Sequence, residues 1–262
     1  MTGEAREPGS ERGAEIAASL AEVRARIGAA CRAAGRSPDE VTLIAITKTF
    51  PATDIRLLSS LGVRDVGENR DQEAAPKAAE CADLRDLLTW HFVGQLQTNK
   101  AASVARYADV VHSVDRLRLV TALGAAARKA GRTLTCLVQV SLDGDPARGG
   151  AVAEQVPAIA DRVAGEAGLE LGGVMAVAPQ GAGPQGAGPQ GAGPQGAGSQ
   201  GIGALAAFER LAEIASGVRA AHPGAVMISA GMSGDLEDAI RAGATHVRVG
   251  TALLGGRPGF VR

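Results

Sequence analysis

The chain has 262 residues, a length that fits one large domain or two small ones. Its 27 Lys and Arg against 28 Asp and Glu give a net charge of −1, so no strong electrostatic attraction to nucleic acid or to an anionic membrane is expected. Aromatic residues make up only 2%, which leaves few stacking platforms for single-stranded nucleic acid, whereas glycine is in excess with 36 residues.

No apolar run approaches the roughly 18 residues of a membrane span, and the N-terminal segment MTGEAREPGSERGAE is too polar and acidic for a signal peptide. The three cysteines, Cys31, Cys81 and Cys136, show no C-x-x-C spacing, which favours reduced thiols over disulfides. These features predict a cytoplasmic protein that contacts neither membrane nor nucleic acid.

The predicted elements alternate between helix and strand. Residues 1–11 are expected to be a flexible N-terminus, and apolar residues at helical spacing from Ile16 to Ile27 predict a helix over 12–34. Helical patterns such as 151–167 and 205–220 separate the apolar runs of strand length. These runs lie at 41–47, 63–69, 90–95, 109–115, 134–142, 169–177, 225–231 and 245–251.

Eight strands that are apolar on both faces indicate parallel pairing covered by helices. Eight such units in about 250 residues favour an α/β fold of the (β/α)8 TIM-like barrel type. The helix after the eighth strand is nearly missing, and the additional N-terminal helix is expected to cover that position. A doubly wound open sheet is the alternative fold. We predict the barrel domain over 12–255 and a tail over 256–262.

A pentapeptide repeat, PQGAG four times and then SQGIG, occupies residues 179–203. It has no apolar face to bury, and its proline and glycine disfavour both helices and sheet ladders. A period of five excludes collagen, which repeats every three residues. We predict a disordered low-complexity loop, with a binding role for the repeat as the alternative.

Functional residues of such a barrel lie at the C-terminal ends of its strands. Reading those ends in chain order gives Lys48, Glu68, Asn69, His91, Gly94, Gln95, Asp115, Ser141, Met175, Ser229 to Ser233, and Arg248 to Thr251.

Lys48 ends the apolar run of the first strand, so the barrel mouth would enclose its stem. Lysine amines shielded from water act as nucleophiles and form Schiff bases with carbonyl groups. The alternative is a lysine that extends to the rim or pairs with a carboxylate.

The segment SAGMSGD at 229–235 follows the seventh strand and opens a helix. Its glycines allow a close approach of the backbone to a ligand, and barrels often bind phosphate after strands seven and eight. The alternative is that Ser233 or Asp235 only caps the helix.

Arg248 shares a strand face with His246 and Gly250, and an arginine directed into a barrel needs an acceptor. The alternative is an internal salt bridge with Glu68. Together, a first-strand lysine and these anion-binding features predict a site for a phosphorylated aldehyde. A phosphosugar-type barrel enzyme is the alternative class.

Several motifs of the chain resemble the pyridoxal-phosphate homeostasis protein family. The resemblance covers residues 14–255, and its segments are AITKTFP, VGENRDQE, WHFVGQLQTNK, GGVMAVAP, SAGMSGDLEDAI and HVRVGTALLG. It implies a barrel like the N-terminal domain of fold-type III pyridoxal-phosphate enzymes such as alanine racemase. Many members place Tyr after the GEN motif, where this chain has Arg70.

The resemblance also implies a role for each matching residue toward pyridoxal 5′-phosphate. Lys48 matches the lysine that forms the Schiff base, and Arg248 matches the arginine that faces the pyridine nitrogen. Asn69 lines the cofactor site and His91 lies near the same mouth. The segments that hold the phosphate supply Ser229, Gly231, Met232, Ser233, Gly250 and Thr251.

A carrier or regulator is favoured over a catalyst. A cation beside the pyridine nitrogen weakens the ring as an electron sink. Racemases of this fold take a second acid/base, a tyrosine, from a separate β-domain. Here the lone tyrosine, Tyr107, is predicted on an outer helix, and no such domain is expected after Arg262. We expect a monomer or weak dimer that buffers the cofactor or delivers it to apo-enzymes. An amino-acid racemase or decarboxylase and a scaffold acting through the repeat are the rival classes.

Overall fold

The computed structural model describes residues 8–144, 148–179 and 203–256. Eight parallel strands form a closed barrel in sequence order, and the last strand pairs with the first. The strands are Thr42–Ile46 (β1), Asp65–Glu68 (β2), Thr89–Phe92 (β3), Val110–Val114 (β4), Leu134–Gln139 (β5), Leu169–Met175 (β6), Met227–Ser229 (β7) and His246–Val249 (β8). The closure confirms the predicted barrel, and the doubly wound alternative is wrong because an open sheet has no such pairing.

Helices cover the outside of the barrel. They are Pro8–Ala33 (α1), Ala52–Ser60 (α2), Asp71–Glu80 (α3), Ala101–Tyr107 (α4), Leu117–Ala130 (α5), Val156–Ala164 (α6), Ala204–Ala221 (α7), Leu236–Arg241 (α8) and Thr251–Leu254 (α9). None of the helices in the described part is both apolar enough and long enough for a membrane crossing. The three cysteines are unpaired and buried.

The N-terminal helix covers the outer side of β8, as the sequence predicts. Its buried stripe, which includes Ile16 and Leu20, packs in one cluster with Ile240 of α8, Leu253 of α9 and Val247 of β8. The helix α9 that follows β8 has only four residues. Burying the stripe of α1 against this stretch therefore supplies the helical layer that the chain lacks there.

Some boundaries differ from those predicted. Helix α1 begins at Pro8 rather than residue 12. Strand β7 covers only Met227–Ser229 of the predicted 225–231. Most of the predicted loop over 179–203 lies outside the described residues, which also leave out the first part of the predicted N-terminus and all but the first residue of the tail.

Strand alternation separates an inner from an outer layer. In β8, Val247 and Val249 pack outward against α1, whereas Arg248 points inward and bonds to Ser229 of β7. Inside the barrel, Val110, Leu137 and Met175 form a small apolar cluster. Polar side chains, including those of His112 and Ser229, are also buried in the interior, and the candidate site lies at the C-terminal ends of the strands.

Candidate functional site

A cavity of about 430 Å³ opens at the C-terminal mouth of the barrel. Seven of the ten predicted site residues line it: Lys48, Asn69, Met232, Ser233, Arg248, Gly250 and Thr251. The other lining residues are Ile46, Thr49, Phe50, Val93, Gly94, Val177, Gly234 and Gly255. Within the described residues, its only ionisable side chains are therefore those of two basic residues, Lys48 and Arg248.

Lys48 lies on a tight turn directly after β1. Thr49 adopts a left-handed backbone conformation with a φ of 68°, which is uncommon for a β-branched residue. Two hydrogen bonds hold the turn: Phe50 N donates to Thr47 O at 3.1 Å, and Thr49 N donates to Glu73 Oε2 at 3.1 Å. Lys48 lines the cavity, and no carboxylate of the described residues forms an ion pair with it, so the ion-paired alternative is wrong.

A buried ion pair supports this turn from behind. Glu68 points out of the barrel, and its Oε1 accepts hydrogen bonds from Lys77 Nζ at 2.7 Å and from Thr47 Oγ1 at 2.6 Å. Lys77 Nζ also donates to the carbonyl oxygen of Thr47 at 2.8 Å. Burial raises the pKa of Glu68, even though Lys77 acts in the opposite direction. These bonds fix the residue that precedes Lys48.

Arg248 enters the cavity from below. Its Cα lies opposite Ile44 of β1, four residues before Lys48, and its side chain is almost completely buried. Its guanidinium donates to Ser229 Oγ at 2.6 Å and to the carbonyl oxygen of Ala176 at 2.8 Å. Burial lowers its pKa to about 10, which keeps it charged at neutral pH. The predicted alternative of a salt bridge with Glu68 is wrong, because Glu68 faces the opposite side of the strand layer and pairs with Lys77.

The segments after β7 and β8 form one side of the cavity. Ser233 Oγ accepts a 3.3 Å hydrogen bond from Ala252 N, which links the two segments. Asp235 precedes α8, but its carboxylate accepts from Met232 N at 2.6 Å instead of capping the helix. The capping alternative is therefore wrong for both Ser233 and Asp235.

Three predicted site residues do not line the cavity. Ser229 is fully buried beneath it, between Arg248 and His112. Gly231 has a φ of 87°, and a Cβ there would collide with Ala239 of α8, so its lack of a side chain serves the turn and the helix packing. His91 lies deeper in the barrel, where its ring bonds to His112 and Asp65. The sequence predicted that His91 lies near the mouth, but its side chain points into the barrel instead.

The GEN segment reaches the cavity through Asn69 alone. Gly94 lies against it so closely that a Cβ on Gly94 would overlap the backbone carbonyl of Asn69. Arg70 does not line the cavity, and its exposed side chain lies 3.5 Å from Glu73. The other strand-end candidates Gln95, Asp115, Ser141 and Met175 also do not line it.

Sequence reasoning missed two polar residues inside the barrel. Asp65 begins β2 and His112 lies within β4, so neither is at the C-terminal end of its strand. Strand alternation carried a signal, since Asp65 shares the inner face with Gly67. The hydrophobic wall formed by Phe50, Val93 and Val177 was also missed, because apolar residues do not stand out in apolar strands.

Comparison with known proteins shows the class of fold to which the chain belongs. A family model described as alanine racemase, N-terminal domain, matches residues 19–258. An alanine racemase structure from Clostridium difficile shares the fold with a TM-score of 0.67, at 12% identity over 94% of this chain and 58% of that one. The fold and the site thus define a single barrel of the alanine racemase N-terminal class.

Closer relatives define the family within that class. The pyridoxal phosphate homeostasis protein of Mycobacterium tuberculosis is 44% identical over 94% of this chain and 95% of its own length. That of Escherichia coli is 35% identical over 93% and 97%. The structure of PipY from Synechococcus elongatus with pyridoxal phosphate bound has a TM-score of 0.73 at 33% identity, over 92% of this chain and all of that one. The chain belongs to the pyridoxal phosphate homeostasis protein family, as its motifs predict.

Proposed function

We propose that the barrel over residues 12–255 binds pyridoxal 5′-phosphate at its mouth and takes part in the intracellular homeostasis of this cofactor, by storing it or delivering it to apo-enzymes. Lys48 Nζ would hold the cofactor through its aldehyde group, because lysine amines combine with carbonyl compounds. When bound, the cofactor supplies an electron sink. The relative PipY, whose structure contains bound pyridoxal phosphate, supports this choice of ligand.

The charge of the cavity is the observation that carries the proposal. Lys48 and Arg248 are its only ionisable side chains in the described part, so the cavity attracts an anionic ligand. Ser233, Gly234, Gly250 and Thr251 present hydroxyl and backbone N–H groups on one side, which fits a phosphate group. The amine of Lys48 has no ion-pair partner among the described residues, which fits an aldehyde.

Arg248 fits the pyridine nitrogen of the ligand. A cation held at that position disfavours protonation of the ring nitrogen and so weakens the ring as an electron sink. The remaining assignments are Asn69 and Met232 beside the ring, and Ser233, Gly250 and Thr251 at the phosphate. We do not assign direct contacts to Ser229, Gly231 or His91, because none of them lines the cavity.

A second acid/base for catalytic turnover is missing from the described lining. Tyr107 belongs to the outer layer, where its ring packs edge-to-face against Trp90 with centroids 6.3 Å apart. Burial and the nearby carboxylate of Asp71 raise the pKa of Tyr107. A racemase needs a second group within reach of the substrate carbon, and this tyrosine does not meet that need.

Intact mass and the visible spectrum test the proposal directly. Protein loaded with pyridoxal phosphate should absorb in the visible range, and borohydride should bleach this band and fix the ligand covalently on Lys48. Lys48→Ala should abolish both signals, whereas Lys129→Ala, a change on the outer helix α5, should leave them intact. A normal band in Lys48→Ala would refute the assignment.

Amino-acid turnover separates a carrier from an enzyme. The loaded protein should show no appreciable racemisation across a panel of L-amino acids, with an alanine racemase as the positive control. Robust turnover that disappears in Lys48→Ala would replace the carrier proposal with the racemase alternative.

A further inference from the structure

Four hydrogen bonds connect Arg248 with Asp65 through the inside of the barrel. Arg248 Nη1 donates to Ser229 Oγ at 2.6 Å, and Ser229 Oγ lies 3.0 Å from His112 Nδ1. His112 Nε2 lies 2.8 Å from His91 Nδ1, and His91 Nε2 lies 3.0 Å from Asp65 Oδ1. Three residues, Ser229, His112 and His91, lie between the two ends and are at most 2% exposed. Bulk water therefore does not compete for these hydrogen bonds.

The two ends of this chain of hydrogen bonds fix its direction. Arg248 only donates, so Ser229 Oγ accepts from it and has its own hydrogen free for His112 Nδ1. A neutral ring whose Nδ1 accepts carries its hydrogen on Nε2, and this hydrogen then goes to His91 Nδ1. By the same rule His91 donates from Nε2 to Asp65, whose carboxylate only accepts.

The opposite direction fails at the carboxylate. With both rings neutral, reversing the bonds would leave His91 Nε2 without a hydrogen, and two acceptors would then face each other at 3.0 Å. A neutral His112 agrees with its surroundings, because burial lowers the pKa of this ring well below its usual value. A carboxylate at the far end of the barrel is what excludes the reversed arrangement.

Asp65 and Arg248 belong to different cavities. Asp65 begins β2 and lines a cavity of about 400 Å³ at the N-terminal end of the barrel, together with Asp39. Arg248 lines the cavity at the mouth. The hydrogen bonds therefore run the length of the barrel interior.

We propose that Asp65 is a positioning residue for Arg248, which it holds through a one-way hydrogen-bond chain formed by His91, His112 and Ser229. The hydroxyl hydrogen of Ser229 is committed to His112, so Ser229 orients the guanidinium instead of binding a phosphate. The structural part of this inference stands alone, and only its effect on a bound cofactor rests on the proposed function.

Nitrogen-15 NMR of the imidazole rings tests the chain without any ligand. The protein has four histidines, so their signals are readily assigned, and His222 at the surface serves as an internal reference. His91 and His112 should both carry their hydrogen on Nε2 near neutral pH. A hydrogen on Nδ1 of either ring in the unaltered protein would overturn the proposal.

Asp65→Asn keeps the shape of the side chain, but an amide can donate a hydrogen bond as well as accept one. The variant side chain therefore no longer fixes the direction of the hydrogen-bond chain. Both histidines should then show a second population with the hydrogen on Nδ1. The matched control is Asp39→Asn, which removes the same charge from the same cavity but touches no member of the chain. Unchanged tautomers in Asp65→Asn, or an equal change in Asp39→Asn, would overturn the proposal.

A double-mutant cycle tests the effect on the cofactor. In the unaltered background, Asp65→Asn should shift the absorbance maximum of bound pyridoxal phosphate and weaken its binding by roughly threefold to tenfold. In the Ser229→Ala background the chain is already cut, so the same change should have no further effect. Additive effects would overturn the coupling. Loss of the band in all proteins, with the tautomers as expected, would instead refute only the proposed function.

Discussion

Lys77 Nζ lies 2.7 Å from Glu68 Oε1, and both groups are buried between β2 and α3. Through the carbonyl and hydroxyl oxygens of Thr47, this pair holds the backbone directly before Lys48. The lysine that faces the cavity thus depends on a second lysine that lies outside the barrel.

Lys77→Met should destabilise the protein by about 3–5 kcal/mol, because it leaves the Glu68 carboxylate buried and unpaired. Burial raises the pKa of Glu68, which means that the fold favours the protonated carboxyl. The stability that this protonation contributes is lost as the pH rises through the pKa of the folded state. The loss should therefore be greater at pH 8 than at pH 5, as measured by urea unfolding. The double variant Lys77→Met with Glu68→Leu should recover most of the stability. If Lys77→Met alone lowered the free energy of unfolding by less than about 1 kcal/mol, the pair would not be structurally important.

Gly94→Ala should displace Asn69, because the added Cβ overlaps the backbone carbonyl of that residue. We expect a loss of about 1–3 kcal/mol in the free energy of unfolding and weaker binding of pyridoxal phosphate. The matched control is Gly217→Ala in α7, where a Cβ meets no atom within 4 Å and the better helix propensity should stabilise by up to about 1 kcal/mol. Equal effects of the two changes, measured by unfolding and by ligand titration, would contradict this interpretation of Gly94.

Acid should destabilise the protein through its interior histidines. Burial lowers the pKa of His246 from 6.5 to about 4, and burial also lowers that of His112. Between about pH 6.5 and 4 the unfolded chain binds protons that the folded chain does not, so stability is present above this window and decreases as the pH falls through it. The slope should approach roughly 1.4 kcal/mol per pH unit for each histidine.

Urea unfolding at several pH values checks this prediction, with His246→Gln and His222→Gln as the paired variants. His222 lies at the surface against Asp161, so its replacement should leave the slope nearly unchanged. His246→Gln should flatten the slope. A slope that is the same in all three proteins would mean that His246 does not stay neutral in the fold.

Tyr107→Phe should leave the absorbance band and the affinity for pyridoxal phosphate unchanged, because the ring packs on Trp90 in the outer layer rather than at the mouth. Arg248→Leu, which removes a group that lines the cavity, provides the contrast and should alter both quantities. If Tyr107→Phe perturbed the bound cofactor as strongly as Arg248→Leu, the tyrosine would have to act at the site after all.

The strand-end rule identified most of the cavity from the sequence, and its failures are instructive. Lys48, Asn69 and Arg248 were found because a polar residue directly after or within an apolar run is conspicuous. Ser229 and His91 also come from strand ends, but their side chains point down into the barrel. Whether such a residue faces the mouth or the interior depends on strand tilt and register, which the linear pattern does not contain.

Local periodicity and motifs were sufficient to predict the number and order of strands, the barrel, the amphipathic N-terminal helix and the family. Which polar groups meet could be seen only in the folded protein. The pairing of Lys77 with Glu68 and the chain from Arg248 to Asp65 join residues from different strands and helices. Closing the barrel brings them within hydrogen-bond distance and removes the water that would otherwise satisfy them. The glycines illustrate the same contrast. Their excess is visible in the sequence, but the turn at Gly231 and the contact of Gly94 with Asn69 are visible only in the folded chain.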